Sequence, residues 1–224
     1  MLTLNNIVKG FGKPGAHDYH KVLDGLSLEI NKGDTVAITG PSGSGKSTLL
    51  NIIGSLDKAD EGEVIFNGAN IAKYSTKEAE QFRNKHIGFV FQLHHLLPQC
   101  TVLENILIPT LPNKNPNKPL ERAEAMIKDL GLWERRNDKP NTLSGGECQR
   151  TAVIRALINE PSLILADEPT GALDEDNASA LMDLLLEIHR TKNTTLLVIT
   201  HSAELANRMD KVFRLSKGKL IQTK

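Results

Sequence analysis

The sequence predicts an α/β protein built on a mainly parallel β-sheet. Short apolar runs recur along the chain, and stretches of helical composition separate many of them. Apolar strands that alternate with helices are typical of a sheet whose two faces are both covered. A chain of 224 residues, of which 39% are hydrophobic, is long enough to bury one sizeable core.

Each predicted element follows from a local pattern. Strands are predicted where short apolar runs end in turn, glycine-rich or polar segments, at residues 2–8, 26–30, 35–39, 63–66, 87–91, 163–166, 195–200 and 212–215. Helices are predicted at residues 46–53, 120–130, 145–158 and 177–190. The Pro- and Asn-rich residues 109–119 predict a polar surface loop, and the helix-rich region after it resembles a subdomain inserted between sheet strands.

Composition narrows the class of protein. Lys plus Arg and Asp plus Glu number 27 each, so the chain lacks the positive excess that contacts with nucleic-acid phosphates usually need. Cys100 and Cys148 lie far apart in the sequence, which favours reduced thiols in a cytosolic protein. No apolar run approaches the roughly 18–20 residues that span a bilayer, and the first residues lack a signal-peptide pattern. We therefore expect a cytoplasmic protein without a nucleic-acid partner.

A glycine-rich segment directly after the strand at residues 35–39 carries the strongest chemical signal. It fits the pattern G-x-x-x-x-G-K-[ST], and its residues are Gly40, Pro41, Ser42, Gly43, Ser44, Gly45, Lys46, Ser47 and Thr48. Such glycines let backbone N–H groups surround phosphate oxygens, and the following helix presents its positive end to the same anion. Lys46 can reach the β- and γ-phosphates of a nucleotide, and the Ser47 hydroxyl suits Mg²⁺. The segment predicts ATP binding.

Two further segments carry groups that suit nucleotide chemistry. Asp167 and Glu168 end an apolar strand, where acids meet the ligand crevice of a parallel sheet. Asp167 is predicted to hold Mg²⁺, and Glu168 to polarise the water that attacks the γ-phosphate. Ser144 is a good helix N-cap, and Gly145 and Gly146 after it allow close backbone approach to an anion.

Together these segments resemble the nucleotide-binding domain of ATP-binding cassette (ABC) transporters, over essentially the whole chain. The resemblance implies one ABC ATPase domain at residues 1–224, with a helical subdomain at about 93–155. Its fold would be a P-loop NTPase core with a mainly parallel sheet and an antiparallel β-subdomain. Residues 40–48 are similar to the Walker A loop, 163–167 to the Walker B strand and 143–147 to the ABC signature.

The resemblance also implies roles for single residues. Gln92 is similar to the glutamine-loop residue that touches Mg²⁺ or the attacking water, and Asp174 belongs to the loop that crosses between subunits. His201 is similar to the switch histidine, which with Lys46 would stabilise charge during hydrolysis. The signature residues Ser144, Gly145, Gly146 and Glu147 would bind the ATP held by a second copy, so that two ATP molecules lie at a two-fold interface.

The aromatic side chain that stacks on adenine and the membrane partner are implied in the same way. Family position indicates Phe11 for the stacking, with Tyr19 as its competitor. Residues 91–98 and 101–106, and the long segment between Phe11 and Leu23, resemble the lipoprotein-releasing (LolD-like), macrolide-export (MacB-like) and cell-division (FtsE-like) branch. A membrane permease is expected to dock near residues 101–108, from Thr101 to Ile108, on exposed apolar side chains. The chain would then lie on the cytoplasmic face of the membrane.

Three other functions fit the same ATPase chemistry. The first is an ATPase of a non-transport membrane signalling or cell-division complex, which the sequence does not separate from a transporter. The second is an ABC-type ATPase that acts on DNA, which the absence of coiled-coil, zinc or basic segments disfavours. The third is a translation-type protein, which the presence of one cassette instead of two disfavours.

Overall fold

A computed structural model describes residues 1–12, 18–113 and 117–224 of the chain. The α-helices are α1 (Lys46–Ile53), α2 (Thr76–His86), α3 (Val102–Leu107), α4 (Pro119–Asp129), α5 (Gly145–Leu157), α6 (Glu175–Lys192) and α7 (Ala203–Asn207). The strands are β1 (Leu2–Phe11), β2 (His20–Ile30), β3 (Thr35–Thr39), β4 (Glu61–Phe66), β5 (Ala69–Asn70), β6 (Ile87–Phe91), β7 (Leu163–Asp167), β8 (Thr195–Ile199), β9 (Lys211–Ser216) and β10 (Lys219–Gln222).

The strands form two sheets. Six of them lie in the order β10-β9-β3-β8-β7-β6, in which only the β10–β9 pair is antiparallel. The other four lie in the order β2-β1-β4-β5 and pair antiparallel throughout. The predicted fold class, a mainly parallel sheet with an antiparallel β-subdomain, is confirmed.

Three apolar cores explain why these elements pack as they do. The central strands β3, β7 and β8 are almost entirely buried, as expected for a parallel sheet with both faces covered. One core joins the antiparallel sheet and α1 to the parallel sheet, and a second packs α5, α6 and α7 on it. A third lies among α3, α4 and α5, with Val102, Ile127 and Ile154 among its fully buried members.

Several elements differ from the sequence prediction. The helices α2, α3 and α7 and the strands β5 and β10 were not predicted, because they are short or largely polar. In α2 only Ala79 and Phe82 are buried, so the apolar period is weak, and a capping box between Ser75 and Glu78 marks where the helix begins. No helix among the described residues combines the length and apolar character needed to cross a bilayer.

The expectation that residues 101–108 expose apolar side chains is wrong. Val102 and Ile106 are fully buried against the third core, and Leu103, Leu107 and Ile108 are partly buried. The reason is that α3 is amphipathic and turns its apolar side chains toward α4 and α5. The exposed large apolar side chains near this segment are instead Leu93, Leu97 and Leu111.

Candidate nucleotide-binding site

The parallel sheet gathers the predicted motifs at one edge. Strands β3, β8, β7 and β6 are neighbours, and their pairing places Ile38 beside Ile199, Ile199 beside Asp167, and Asp167 beside Phe91. The carboxyl ends of parallel strands meet at the same edge of a sheet. The phosphate loop, His201, the two acids and Gln92 therefore come together although they are far apart in sequence.

The phosphate loop joins β3 to α1 and holds a buried amine. Gly45 caps α1 in the left-handed region, at φ 99°, and a side chain there would come within 2.5 Å of Val22 Cγ1. The buried Lys46 folds back, and its Nζ donates to the carbonyl oxygens of Gly40 and Pro41 at 3.0 Å each. Ser44 Oγ is buried, and no residue in the described part of the chain hydrogen-bonds to it. A phosphate would supply acceptors to both of these donors.

Glu168 and His201 meet directly. Glu168 Oε1 lies 3.0 Å from His201 Nε2, and Glu168 Oε2 accepts a hydrogen bond from the His201 backbone N–H at 3.3 Å. Burial raises the pKa of the Glu168 carboxyl, and nearby His201 and Lys46 offset this only in part. A raised pKa brings a carboxylate closer to the basicity that a general base needs near neutral pH.

The backbone at Glu168 is unusual for its residue type. Its φ is 47°, in the left-handed region that non-glycine residues seldom adopt. Hydrogen bonds from the Glu168 N–H to Ile199 O and from the Gly171 N–H to Glu168 O, both 3.0 Å, hold this conformation. The turn places the Glu168 carboxylate on the edge occupied by His201.

Side-chain oxygen atoms that could coordinate Mg²⁺ lie at the same edge of the sheet. Asp167 Oδ1 is buried and finds no hydrogen-bond partner in residues 1–12, 18–113 or 117–224. Ser47 is exposed at the start of α1. Gln92 is also exposed. Its side chain packs against Gly171, where an added Cβ would lie only 2.7 Å from Gln92 Nε2. Carboxylate, hydroxyl and amide oxygens are ligands that a hard cation prefers, so these residues fit Mg²⁺.

The second glycine motif forms the start of α5. Ser144 caps the helix: its Oγ accepts from the Glu147 N–H at 3.3 Å, and Glu147 Oε2 accepts from the Ser144 N–H at 2.8 Å. A side chain added at Gly146 would come within 3.3 Å of Asn177 Oδ1, so the start of α6 lies alongside. Asp174 caps α6, with Oδ1 accepting from the Asn177 N–H at 2.9 Å. The signature and the predicted crossing loop are thus adjacent.

Two side chains that link these motifs were not predicted from the sequence. Gln149 is buried in α5, and its Nε2 donates to Pro169 O at 2.9 Å and to Phe91 O at 3.4 Å. Arg155, also in α5, donates hydrogen bonds to the backbone carbonyl oxygens of His94 and His95, at 2.5 and 2.6 Å. Gln149 carried a detectable signal, because it occupies the apolar face that Val153 and Leu157 continue at four-residue spacing.

The two candidate stacking aromatics lie on the antiparallel sheet side of the chain. Phe11 ends β1 and is 49% exposed, with Lys9 Nζ 5.6 Å from its ring centre. The Tyr19 ring lies against Gly10 and is partly buried. Residues 13–17, within the long segment between Phe11 and Leu23, lie outside the described residues. The choice of Phe11 stays a prediction.

Fold and site together define the class of protein. The parallel sheet has a phosphate loop between β3 and α1 and paired acids at the end of β7, with β8 between these two strands. This arrangement is that of a P-loop ATPase. A protein-family model described as "ABC transporter" matches residues 23–171. The chain belongs to the ABC transporter family and is an ATPase of that family.

Similar proteins agree with this assignment. The chain is 46% identical to the "Lipoprotein-releasing system ATP-binding protein LolD" of Syntrophus aciditrophicus (strain SB) over 99% of each chain. It is 48% identical to the protein of the same name in Legionella pneumophila (strain Lens), over 89% of this chain and 88% of the other. A dimeric post-hydrolysis structure of the ATP-binding cassette MJ0796, bound to ADP and Pi, is 37% identical, with a TM-score of 0.90 over 100% of this chain and 99% of that one.

Proposed function

We propose that the chain is the ATP-hydrolysing subunit that powers a separate membrane permease, in lipoprotein release or export from the cytoplasmic face of the membrane. The observation that carries the hydrolytic role is the Glu168–His201 pair beside the phosphate loop, with 3.0 Å between Oε1 and Nε2. The names of the similar proteins support the lipoprotein cargo, and membership of the ABC transporter family supports a transport role.

The geometry supports a specific order of events in the ATP site. Lys46 exchanges the carbonyl oxygens of Gly40 and Pro41 for phosphate oxygens when ATP enters the loop. Ser47 and Asp167 would hold Mg²⁺, which when bound neutralises charge on the phosphates. Gln92, exposed beside them, would complete this set or orient the attacking water.

Hydrolysis needs a base and a donor at the γ-phosphate. Glu168 accepts the proton of the attacking water, and its raised pKa makes it a stronger base than an ordinary glutamate. His201 is half-exposed at the end of β8 and can turn from Glu168 to donate a hydrogen bond to the phosphate. Lys46 stabilises the charge that develops there.

A single chain forms only part of the ATP site. The start of α5, with Ser144 and its two glycines, is a second anion-binding helix end, and the phosphate loop is the first. We infer that α5 of one copy covers the ATP held by the other, so that closure of a homodimer completes both sites. The dimeric structures of MJ0796 support this arrangement.

The permease is proposed to occupy a groove between α2 and α5. The groove is a cavity of about 1180 Å³, lined by apolar Leu56, Phe89 and Phe91 and by charged side chains that include Glu80 and Arg83. Pro109, which directly follows the segment from Thr101 to Ile108, lies on its wall. A permease helix with an apolar face and flanking charges would suit this lining.

The hydrolytic role is tested by Glu168→Gln. Removing a general base typically slows a reaction by roughly 10²–10⁴-fold, and we expect that loss in ATP turnover with ATP affinity retained. Glu187→Gln is the matched control, because Glu187 is an exposed glutamate in α6. Turnover by the Glu168→Gln protein within a few-fold of the control would contradict the role of Glu168.

The permease site is tested by Leu56→Ser. Leu56 is 50% exposed and lines the groove, so the substitution should weaken co-purification of the permease and its stimulation of ATP turnover, with basal turnover kept. Ile221→Ser is the control, because Ile221 is 57% exposed on β10 and does not line the groove. Equal behaviour of the two variants would rule the groove out.

Reconstituted with its permease in vesicles, the chain should support ATP-dependent release of a lipid-anchored protein.

A further inference from the structure

The start of α5 carries a negative charge of its own. Glu147 lies in the first turn, and its Oε2 accepts a hydrogen bond from the Ser144 N–H at 2.8 Å. The hydrogen bonds from Ser144, together with the nearby Arg135, hold the pKa of Glu147 below its usual value. The side chain is therefore ionised at neutral pH.

This charge has two opposite effects. A carboxylate in the first turn stabilises the helix itself, through the capping box and through the positive helix end. The same charge repels any second anion that approaches that helix end. A triphosphate held by a second copy is such an anion, so an uncompensated Glu147 would weaken the closed dimer.

Arg135 is placed to compensate this charge. It ends a short 3₁₀ turn, Trp133–Arg135, on the loop that leads to the signature. Its Nε lies 3.4 Å from Glu147 Oε1, and its Nη1 lies 3.1 Å from Asp138 Oδ2. Arg135 is thus held from both sides, and it is 49% exposed while Glu147 is only 20% exposed. The guanidinium covers the outer side of the carboxylate.

We propose that Arg135 is a positioning residue of the composite ATP site: it neutralises Glu147 and keeps that carboxylate on the Ser144 N–H, so that the start of α5 can accept the γ-phosphate of ATP bound to a second copy. The inference rests on the proposed two-copy site. Arg150, on α5 itself, also lowers the pKa of Glu147, but Arg135 acts from a separate loop and lies within ion-pair distance, at 3.4 Å.

The proposal predicts a specific defect in Arg135→Gln. One uncompensated charge near a phosphate in a partly solvated interface should weaken association about fivefold per site. The dimer contains two such sites, so the dissociation constant should rise roughly 25-fold. ATP binding to a dilute single chain should stay unchanged, because the phosphate loop of the same chain is not altered.

The experiment measures specific ATP turnover against protein concentration, with the half-maximal concentration as the readout. Arg135→Gln should shift it upward by the stated factor, whereas the maximal rate at high protein concentration is retained. Lys139→Gln is the control, because Lys139 is exposed on the same loop. Among the described contacts its backbone carbonyl accepts hydrogen bonds from Thr142, and its side chain makes none. Glu147→Gln in the Arg135→Gln protein should return the half-maximal concentration close to its original value.

The rescue separates charge compensation from a merely structural role. If Arg135 only held its loop through Asp138, Glu147→Gln would not restore association, and that result would overturn the proposal. A shift equal to that of Lys139→Gln would overturn it as well. Turnover that does not depend on the concentration of the unsubstituted protein would instead contradict the two-copy site itself.

Discussion

Gly45→Ala tests whether the phosphate loop owes its shape to the strand beneath it. Gly45 caps α1 at φ 99°, and an added Cβ would lie 2.5 Å from Val22 Cγ1 and 3.1 Å from Leu23 Cδ2. Both neighbours belong to β2, and Leu23 is fully buried, so it cannot move away without disturbing the first core.

The expected loss of stability has two parts. An alanine held in the left-handed region costs about 1–2 kcal/mol, and forcing a methyl group into a packed contact costs about 1–3 kcal/mol more. The free energy of unfolding should therefore fall by roughly 2–5 kcal/mol, out of the about 5–15 kcal/mol that is typical of folded proteins. Gly43→Ala is the matched control, because Gly43 has φ 75° and open space around an added Cβ.

The assay is urea denaturation of both variants, followed by circular dichroism. Gly43→Ala should lower the free energy of unfolding by the conformational cost alone, about 1–2 kcal/mol. A Gly45→Ala protein that is no less stable than Gly43→Ala would refute the packing argument. It would show that the contact with Val22 does not constrain the loop.

Four further outcomes are expected from the contacts at the site. Because burial raises the pKa of Glu168, single-turnover hydrolysis should lose activity on acidification at a pH above the usual glutamate value of about 4.3. In the folded chain the raised pKa of Glu168 disfavours its charged form, so Glu168→Gln should raise the Tm of the protein near neutral pH. That gain should vanish in melts below about pH 4.3, where the carboxyl is protonated in the folded and the unfolded chain. His201→Ala should lower kcat roughly 100-fold with little change in ATP affinity. It should also move the acidic limb of the pH profile to higher pH, because His201 lowers the pKa of Glu168 and so opposes the effect of burial. Gln149→Leu should cost about 1–3 kcal/mol in denaturant melts, since Pro169 O and Phe91 O lose a buried donor.

The parts of the site that lie at strand ends could be predicted from the sequence. Each motif follows an apolar run, and a parallel sheet brings such ends together whatever their distance along the chain. The strand bounds 35–39 and 87–91 match β3 and β6, because buried strands read as unbroken apolar segments. Glu168 and His201 were expected at the same edge on this ground.

Contacts between side chains of separate loops could not be predicted. Two such contacts depend on the packing of α3, α4 and α5. One is the ion pair between Arg135 and Glu147, and the other is the pair of hydrogen bonds from Arg155 to the carbonyl oxygens of His94 and His95. The wrong expectation about residues 101–108 has the same origin. The apolar side chains of α3 could face a partner or a core, and only the position of α4 decides between them.

Each phosphate loop is proposed to hold half of an ATP site, which a second copy completes. The most direct measurement is the sedimentation mass of Glu168→Gln protein with and without Mg-ATP, because this variant should bind ATP and hydrolyse it slowly. If a second copy completes the site, the mass should be 24.6 kDa without nucleotide and twice that value with ATP. It should not double when Lys46→Ala is added. A mass that stays at 24.6 kDa with ATP bound would contradict the claim.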